Sequence, residues 1–390
     1  HNMVKVLLEN VAQERRENIK TSKDNFPVVG LEHITPMQIQ LTDWSTDKDN
    51  TFTKVFKKGD ILFGRRRAYL KKAAFAPFDG ICSGDITVIS PIAEKIEPTL
   101  LPFIIQNDDF FDFAVEKSAG SLSPRVKWEH LKTYSFELPA MDKQRELAQI
   151  LWAAEETKQS YKSLLQKTDD LVKAKFEEMF GNVIENNKRW NYKALPEVAK
   201  IILGSTPRTS VPEYWGGQIK WLTPAEISDD AFYIFDTVKH ISEIGRKAAN
   251  LSIFPKNTVI FSTRAPIGKT AISGCEMCCN QGFKNFICSN ELHHVYLYYI
   301  LKSNKNYFAF LGTGTTFKEL PKFKIEKICI SIPPIKLQND FADFYMQAEK
   351  SKQKLQNKKM EITTMNNYLD KVFDTPNKKA FIAFLTAGDP

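Results

Sequence analysis

The segment LPAMDKQRELAQIL (138–151) returns as IPPIKLQNDFADFY (332–345). In each, an apolar residue and a proline lead into a helix with glutamine in its first turns, and Gln144 recurs as Gln338, 194 residues later. At the same spacing LKTYSFELP (131–139) lies over IEKICISIP (325–333), two alternating strand-like runs that feed the proline. SAGSLSPRV (118–126) likewise lies over GTGTTFKEL (312–320). Upstream, KGDILFGRRR (58–67) matches KNTVIFSTR (256–264), a turn, an apolar strand and then arginine. Four matches in one order imply a duplication, and therefore one fold built twice.

The helices that follow each proline carry a seven-residue apolar pattern. In the first copy Leu147, Ala154 and Tyr161 recur at that spacing, with Ile150, Leu164 and Leu171 beside them. In the second copy Phe341, Ala348, Leu355, Ile362 and Leu369 do the same, with Phe344 on the adjoining row. Thr157, Thr168, Ser351 and Lys358 interrupt the stripes, so neither is a strong zipper alone. A globular block separates the helices, and burying both seams against each other predicts a long antiparallel coiled-coil pair. The first helix, stopped by Gly181-Asn182, would run about 60 Å at ~1.5 Å per residue.

The predicted class is α+β, a pseudo-two-fold internal repeat in five parts. Residues 1–138 form a first globular block, 139–180 a long helix, 181–332 a second block and 333–373 a second long helix. Residues 374–390 are a tail outside the repeat, similar to the opening of a tryptophan synthase α chain and read as a junction or a flexible tail. At 390 residues, two or more globular units are expected. No run approaches the ~20 apolar residues of a membrane span, and no cleavable signal stands at the N-terminus, which points to the cytoplasm.

A search for chemistry returns little. TRAPIGKT (263–270) ends like a phosphate loop, but Thr263 replaces the first glycine and Pro266 removes a needed N–H. SIPPIK (331–336) lacks the flanking residues of an amino-methylating site. Cys275, Cys278 and Cys279 cluster without a second ligand pair at finger spacing, so reduced structural thiols are expected and no metal. No nucleophile motif stands out, which favours a binding protein over an enzyme.

Positive charge is the feature that concentrates. The net charge is +8, and GRRRAYLKK (64–72) places Arg65, Arg66, Arg67, Lys71 and Lys72 beside Tyr69 at a strand end. The repeat mate supplies Arg264 and Lys269, and Arg125, Lys284 and Lys318 extend the candidate set. Guanidinium forks suit phosphate oxygens and the O6/N7 edge of guanine, so these are candidate nucleic-acid contacts. In GSTPRTSVPEYWGGQIKWLTP (204–224), glycines and prolines hold the backbone and present Thr206, Arg208 and Thr209 as further candidates. Trp215 and Trp221 are expected to pack and not to stack on bases.

LGSTPRTSVPEYWGGQIKWLTPAEI, FSTRAPIGK, GTGTTFKEL and IPPIKLQ together resemble the specificity (S) subunit of type I restriction-modification enzymes. The first half departs, with AQERRENIKTSKDNFPVVGLEHITP in place of the Gly-Thr-Pro and Tyr-Trp-Gly-Gly elements. The resemblance implies two target recognition domains held apart by two antiparallel helices, and a chain without catalysis or cofactor of its own. It implies binding of double-stranded DNA and of two methyltransferase subunits that use S-adenosylmethionine. It further implies a chain that can recruit a restriction subunit using ATP and Mg, whose presence the sequence leaves open. Two alternatives stay open: a DNA-modifying enzyme with an unrecognised active site, and a helical scaffold that does not bind DNA.

Overall fold

The computed structural model describes residues 3–20, 26–47, 49–120, 122–314 and 318–372, and of 362–372 only the helical backbone. The seam residues Ile362 and Leu369, as side chains, and the tail lie outside the described residues. The chain divides into two compact units, one holding residues up to 163 and from 356, the other 164–355. Each long helix therefore contributes a part to both.

In the first unit a four-stranded antiparallel sheet runs in the order Ala12–Glu14, Ile86–Pro91, Ile61–Gly64, Ala73–Phe75. Its central strands are buried on both faces, which explains why ILFG reads as an unbroken apolar run and why even Thr87 and Ser90 of ITVIS are buried. A smaller sheet places Gly80–Cys82 between Val28–Val29, parallel, and Lys54–Phe56, antiparallel. The helix Asp108–Glu116 starts where the Asn107 side chain accepts the Asp109 N–H, with two aspartates in its first turn. It buries Phe110 and Phe111 against Phe63.

The second unit repeats this plan. Its larger sheet runs Ala199–Leu203, Phe283–Cys288, Val259–Ser262, Thr270–Ser273, Tyr233–Ile234, and its smaller one Lys239–Ile241, Trp215–Leu222, Cys278–Cys279. Hydrogen bonds match across the copies: Ser83 N–H to Val29 O and Asn280 N–H to Leu222 O, both 3.0 Å, and Leu8 N–H to Tyr134 O and Leu195 N–H to Ile328 O, both 2.9 Å. The glutamines that mark the repeat do the same work twice. Gln144 donates to Pro139 O and accepts the Glu97 N–H, each at 2.8 Å. Gln338 donates to Pro333 O at 2.8 Å and Glu291 O at 2.9 Å, and accepts the His293 N–H at 2.8 Å.

The long helices span Met141–Phe180 and Ile335–Val372. Within the second unit their segments run antiparallel, with Phe176 and Phe180 on Phe341 and, further along, Lys352 Nζ 2.7 Å from Asp169. Glu349 and Lys352 are both buried and paired at 3.0 Å, and the first unit holds their equivalents, Glu155 paired with Lys158.

The apolar stripe of the first helix differs from the one the heptads predict. Leu164 and Leu171 are exposed, Leu171 by 58%, while Val172 is 3% exposed and Phe176 and Phe180 are buried. Leu147, Ile150, Ala154 and Tyr161 are only half-buried, and the buried line runs through Gln144, Ala148, Leu151 and Glu155. A straight helix turns every 3.6 residues, so a strict seven-residue count drifts off the buried face, and polar residues on that face hid it. In the second helix Phe341 is fully buried, and Phe344, Ala348 and Leu355 are partly so.

Candidate nucleic-acid interface

In the first unit the strand Ile61–Gly64 ends in the arginine run. The Arg65 N–H donates to Asp85 O at 3.0 Å, and its carbonyl accepts the Val126 N–H at 3.0 Å, so the run is pinned between two segments distant in sequence. Arg66 lies 3.5 Å from Asp85 and 3.2 Å from Ser123 Oγ, and Arg125 closes on Asp85 from the other side. Arg125 first, then Arg66 and Arg65, hold the Asp85 carboxyl below the usual carboxylate range. Arg67 and Lys71 adopt left-handed backbone, φ 54° and 51°, on either side of a short turn that leaves Tyr69 54% exposed. Lys71 pairs with Asp108.

The second unit builds the same strand end with the charges exchanged. The Thr263 N–H donates to Gly282 O and Leu320 N–H to Thr263 O, both at 2.8 Å, so Thr263 stands where Arg65 does and Gly282 where Asp85 does. Arg264 occupies the place of Arg66 and bridges to Glu319, as Arg66 bridges to Arg125. The acid has moved onto the bridging segment, where Glu319 takes Arg264 at 3.1 Å and Lys284 at 3.4 Å. Each copy thus groups cations around one carboxylate from different positions.

Three lysines are spent inside the fold. Lys284, predicted as a contact, is 7% exposed and donates to Thr263 Oγ1 at 3.2 Å; burial pulls its pKa down and Glu319 opposes the shift. It points inward because its strand is central and Glu319 lies over it. Lys72 donates to Leu31 O and Lys269 to Pro224 O, equivalent carbonyls that open equivalent short turns, Leu31–His33 and Pro224–Glu226. Lys318 is exposed, next to residues outside the described ones.

The loop from Gly204 to Gly217 is braced from beneath. A Cβ on Gly204 would lie 1.8 Å from Asn280 O, and one on Gly217 2.3 Å from Ile241 O, so both glycines serve close backbone approach. Trp221 Nε1 donates to Ser205 O at 3.0 Å and Trp215 Nε1 to Arg208 O at 3.3 Å, with the rings edge to face at 5.0 Å. The tryptophans therefore pack and hold the loop, leaving Arg208 and Thr209 exposed. Thr206 donates its hydroxyl to Gln281 Oε1. Thr209, Trp215, Lys239 and His240 line an open hollow of about 490 Å³.

Sequence reasoning found the arginines but missed Asp85, Glu319 and Gln281, which orient or accompany them. The signal was the equivalence of the Ser83–Asp85 and Asn280–Gly282 turns, hidden because loops of unequal length shift the spacing between copies. Cys278 and Cys279 are buried thiols, both pushed up to about 12 by burial, and Cys275 donates to Phe235 O at 3.1 Å. Among the described residues no helix is long and apolar enough to cross a membrane, and no group of three or more His, Cys, Asp or Glu could hold a metal ion.

Comparison with known proteins gives the same outline. The chain is 36% identical over 149 residues to the type I restriction enzyme MjaIX specificity subunit of Methanocaldococcus jannaschii, a match spanning 37% of this chain and 34% of that relative. It is 21% identical over 353 residues to the putative type I restriction enzyme MjaX specificity subunit of the same organism, across 83% of this chain and 80% of the relative. The crystal structure of the type I restriction-modification S subunit from M. genitalium shares the fold, with TM-score 0.62 and 12% identity over 95% of this chain and 96% of that one. The family model of the type I restriction modification DNA specificity domain matches twice, at residues 11–167 and 187–364. With both copies of the repeat matched, the chain belongs to the type I restriction modification DNA specificity domain family.

Proposed function

We propose that this chain selects DNA sites for a type I restriction-modification complex, each unit reading one half of an asymmetric bipartite duplex site. It performs no chemistry itself. Two methyltransferase subunits carrying S-adenosylmethionine dock on it, and the assembly can recruit a restriction subunit that uses ATP and Mg. The observation that carries this reading is a shared backbone frame bearing unlike side chains at equivalent positions: Arg65, Asp85 and Arg125 in one unit, Thr263, Gly282 and Glu319 in the other. Two different readers on one repeated frame suit two different half-sites joined by an unread spacer.

Co-expression with the cognate methyltransferase, followed by mapping of methylated adenines, tests it. The expected motif has two unlike half-sites. Exchanging residues 181–332 for the matching block of a related subunit should change one half-site, and inserting helical residues at the exposed stretch 162–164, clear of the buried Phe176 and Phe180, should change the spacer alone. A palindromic motif, or an exchange that rewrites both halves, would defeat the two-reader model. Modification or cleavage of DNA by the purified chain alone would favour an enzyme, and salt-independent or absent duplex binding would favour a scaffold.

A further inference from the structure

The turn that precedes the inner strand of the larger sheet is built alike in both units and filled differently. In the first unit it is Ser83-Gly84-Asp85, and Ser83 Oγ accepts the Asp85 N–H at 3.2 Å. In the second it is Asn280-Gln281-Gly282, and Asn280 Oδ1 accepts the Gly282 N–H at 2.9 Å. Each turn is also tied at its first residue to the smaller sheet, through Ser83 to Val29 O and Asn280 to Leu222 O. Gly84 is outside the left-handed region, and a Cβ there would meet nothing within 4 Å. The backbone thus accepts any residue at the middle of the turn, so folding does not dictate glutamine in one copy or glycine in the other.

Gln281 is exposed, yet its carboxamide is oriented: Oε1 accepts the hydroxyl of Thr206 from the braced loop. The bond leaves Oε1 a second lone pair and leaves both Nε2 hydrogens available, an acceptor and a donor side by side. Next to it, Thr263 holds Gly282 O and fixes the neighbouring Arg264, an exposed guanidinium suited to a phosphate. A donor and acceptor in a plane beside a cation match the N6/N7 edge of adenine in a major groove, with the backbone alongside.

We infer that Gln281 reads an adenine in the half-site of the second unit, with Thr206 as its positioning residue, and that the first unit carries no reader at Gly84. The inference rests on the DNA-selecting role proposed above. The test uses the full chain purified with its methyltransferase partners, once methylome mapping has given the parent motif. Absence of a bipartite motif in the parent defeats the proposed function, whatever Gln281 does. Given that motif, binding is measured to duplexes carrying each of the four base pairs at every half-site position.

Gln281→Gly, which copies the first unit's turn, should cut discrimination at one A·T pair by roughly tenfold to a hundredfold, leave the other half-site intact and leave the melting temperature unchanged. Thr206→Val should give a smaller loss at the same pair. Gln281→Glu keeps the side-chain length while removing the donor, and should shift preference at that pair away from adenine. Unchanged discrimination in both Gln281 variants, an equal loss of affinity for every duplex, or relaxation at a G·C pair would each overturn the assignment.

Discussion

Arg125 grips Asp85 through both carboxylate oxygens, Nε to Oδ1 at 2.8 Å and Nη2 to Oδ2 at 3.3 Å, while Arg66 approaches the same carboxylate at 3.5 Å. One acid therefore restrains two of the cations assigned to DNA. Pairs this exposed to solvent contribute little to stability. Arg125→Ala should leave the melting temperature nearly unchanged, weaken duplex binding and reduce its log–log salt slope by about 1. Asp85→Asn should do the reverse to binding, because it frees two guanidinium groups. Salt titrations of both variants check the opposite signs.

Gln338 is fully buried and serves three backbone groups, so Gln338→Leu strands the His293 N–H and two carbonyls. A loss of at least about 2 kcal/mol is expected, read by denaturant unfolding.

Two residues of the expected seam give a direct contrast. Phe341→Ala should cost about 3–5 kcal/mol, since Phe341 is fully buried among Phe176, Phe180 and Tyr299. Leu171→Ala, at an exposed position, should stay within about 0.5 kcal/mol. Equal losses would restore the heptad seam.

His294 is pushed down to about 4 by burial, then by His293 and Lys256, and its Nε2 lies 3.3 Å from the Tyr233 hydroxyl. Between that value and the ordinary 6.5 the unfolded chain binds a proton that the folded chain refuses, so stability falls as pH falls through this window. Thermal unfolding from pH 7 to 4 should show the decline, and His294→Phe should flatten it.

The repeat was legible because its most constrained parts are local: Gln144 and Gln338 each lie a few residues from the proline carbonyl they hold. The arginine run was legible for the same reason, as a cluster within one strand end. Asp85 and Glu319 were not, because each acts on cations distant along the chain, and no periodicity marks a charge whose role exists only after the sheet forms. Lys72, Lys269 and Lys284 misled for the converse reason: a lysine bound to a carbonyl or a buried acid has the same letter as one in solvent. Val172 and Phe176 were displaced in favour of Leu171 because Gln144 and Glu155, polar residues on the buried line, broke the pattern that would have revealed it.

Every partner of Gln144 and Gln338 is a main-chain N–H or carbonyl. A joint that asks only for backbone is blind to the side chains of the residues it holds, so Glu97, Glu291 and His293 can each change without loosening it. Because both copies use the same joint, what the repeat holds constant there is main-chain geometry, and the side chains at the loop ends are left free to differ.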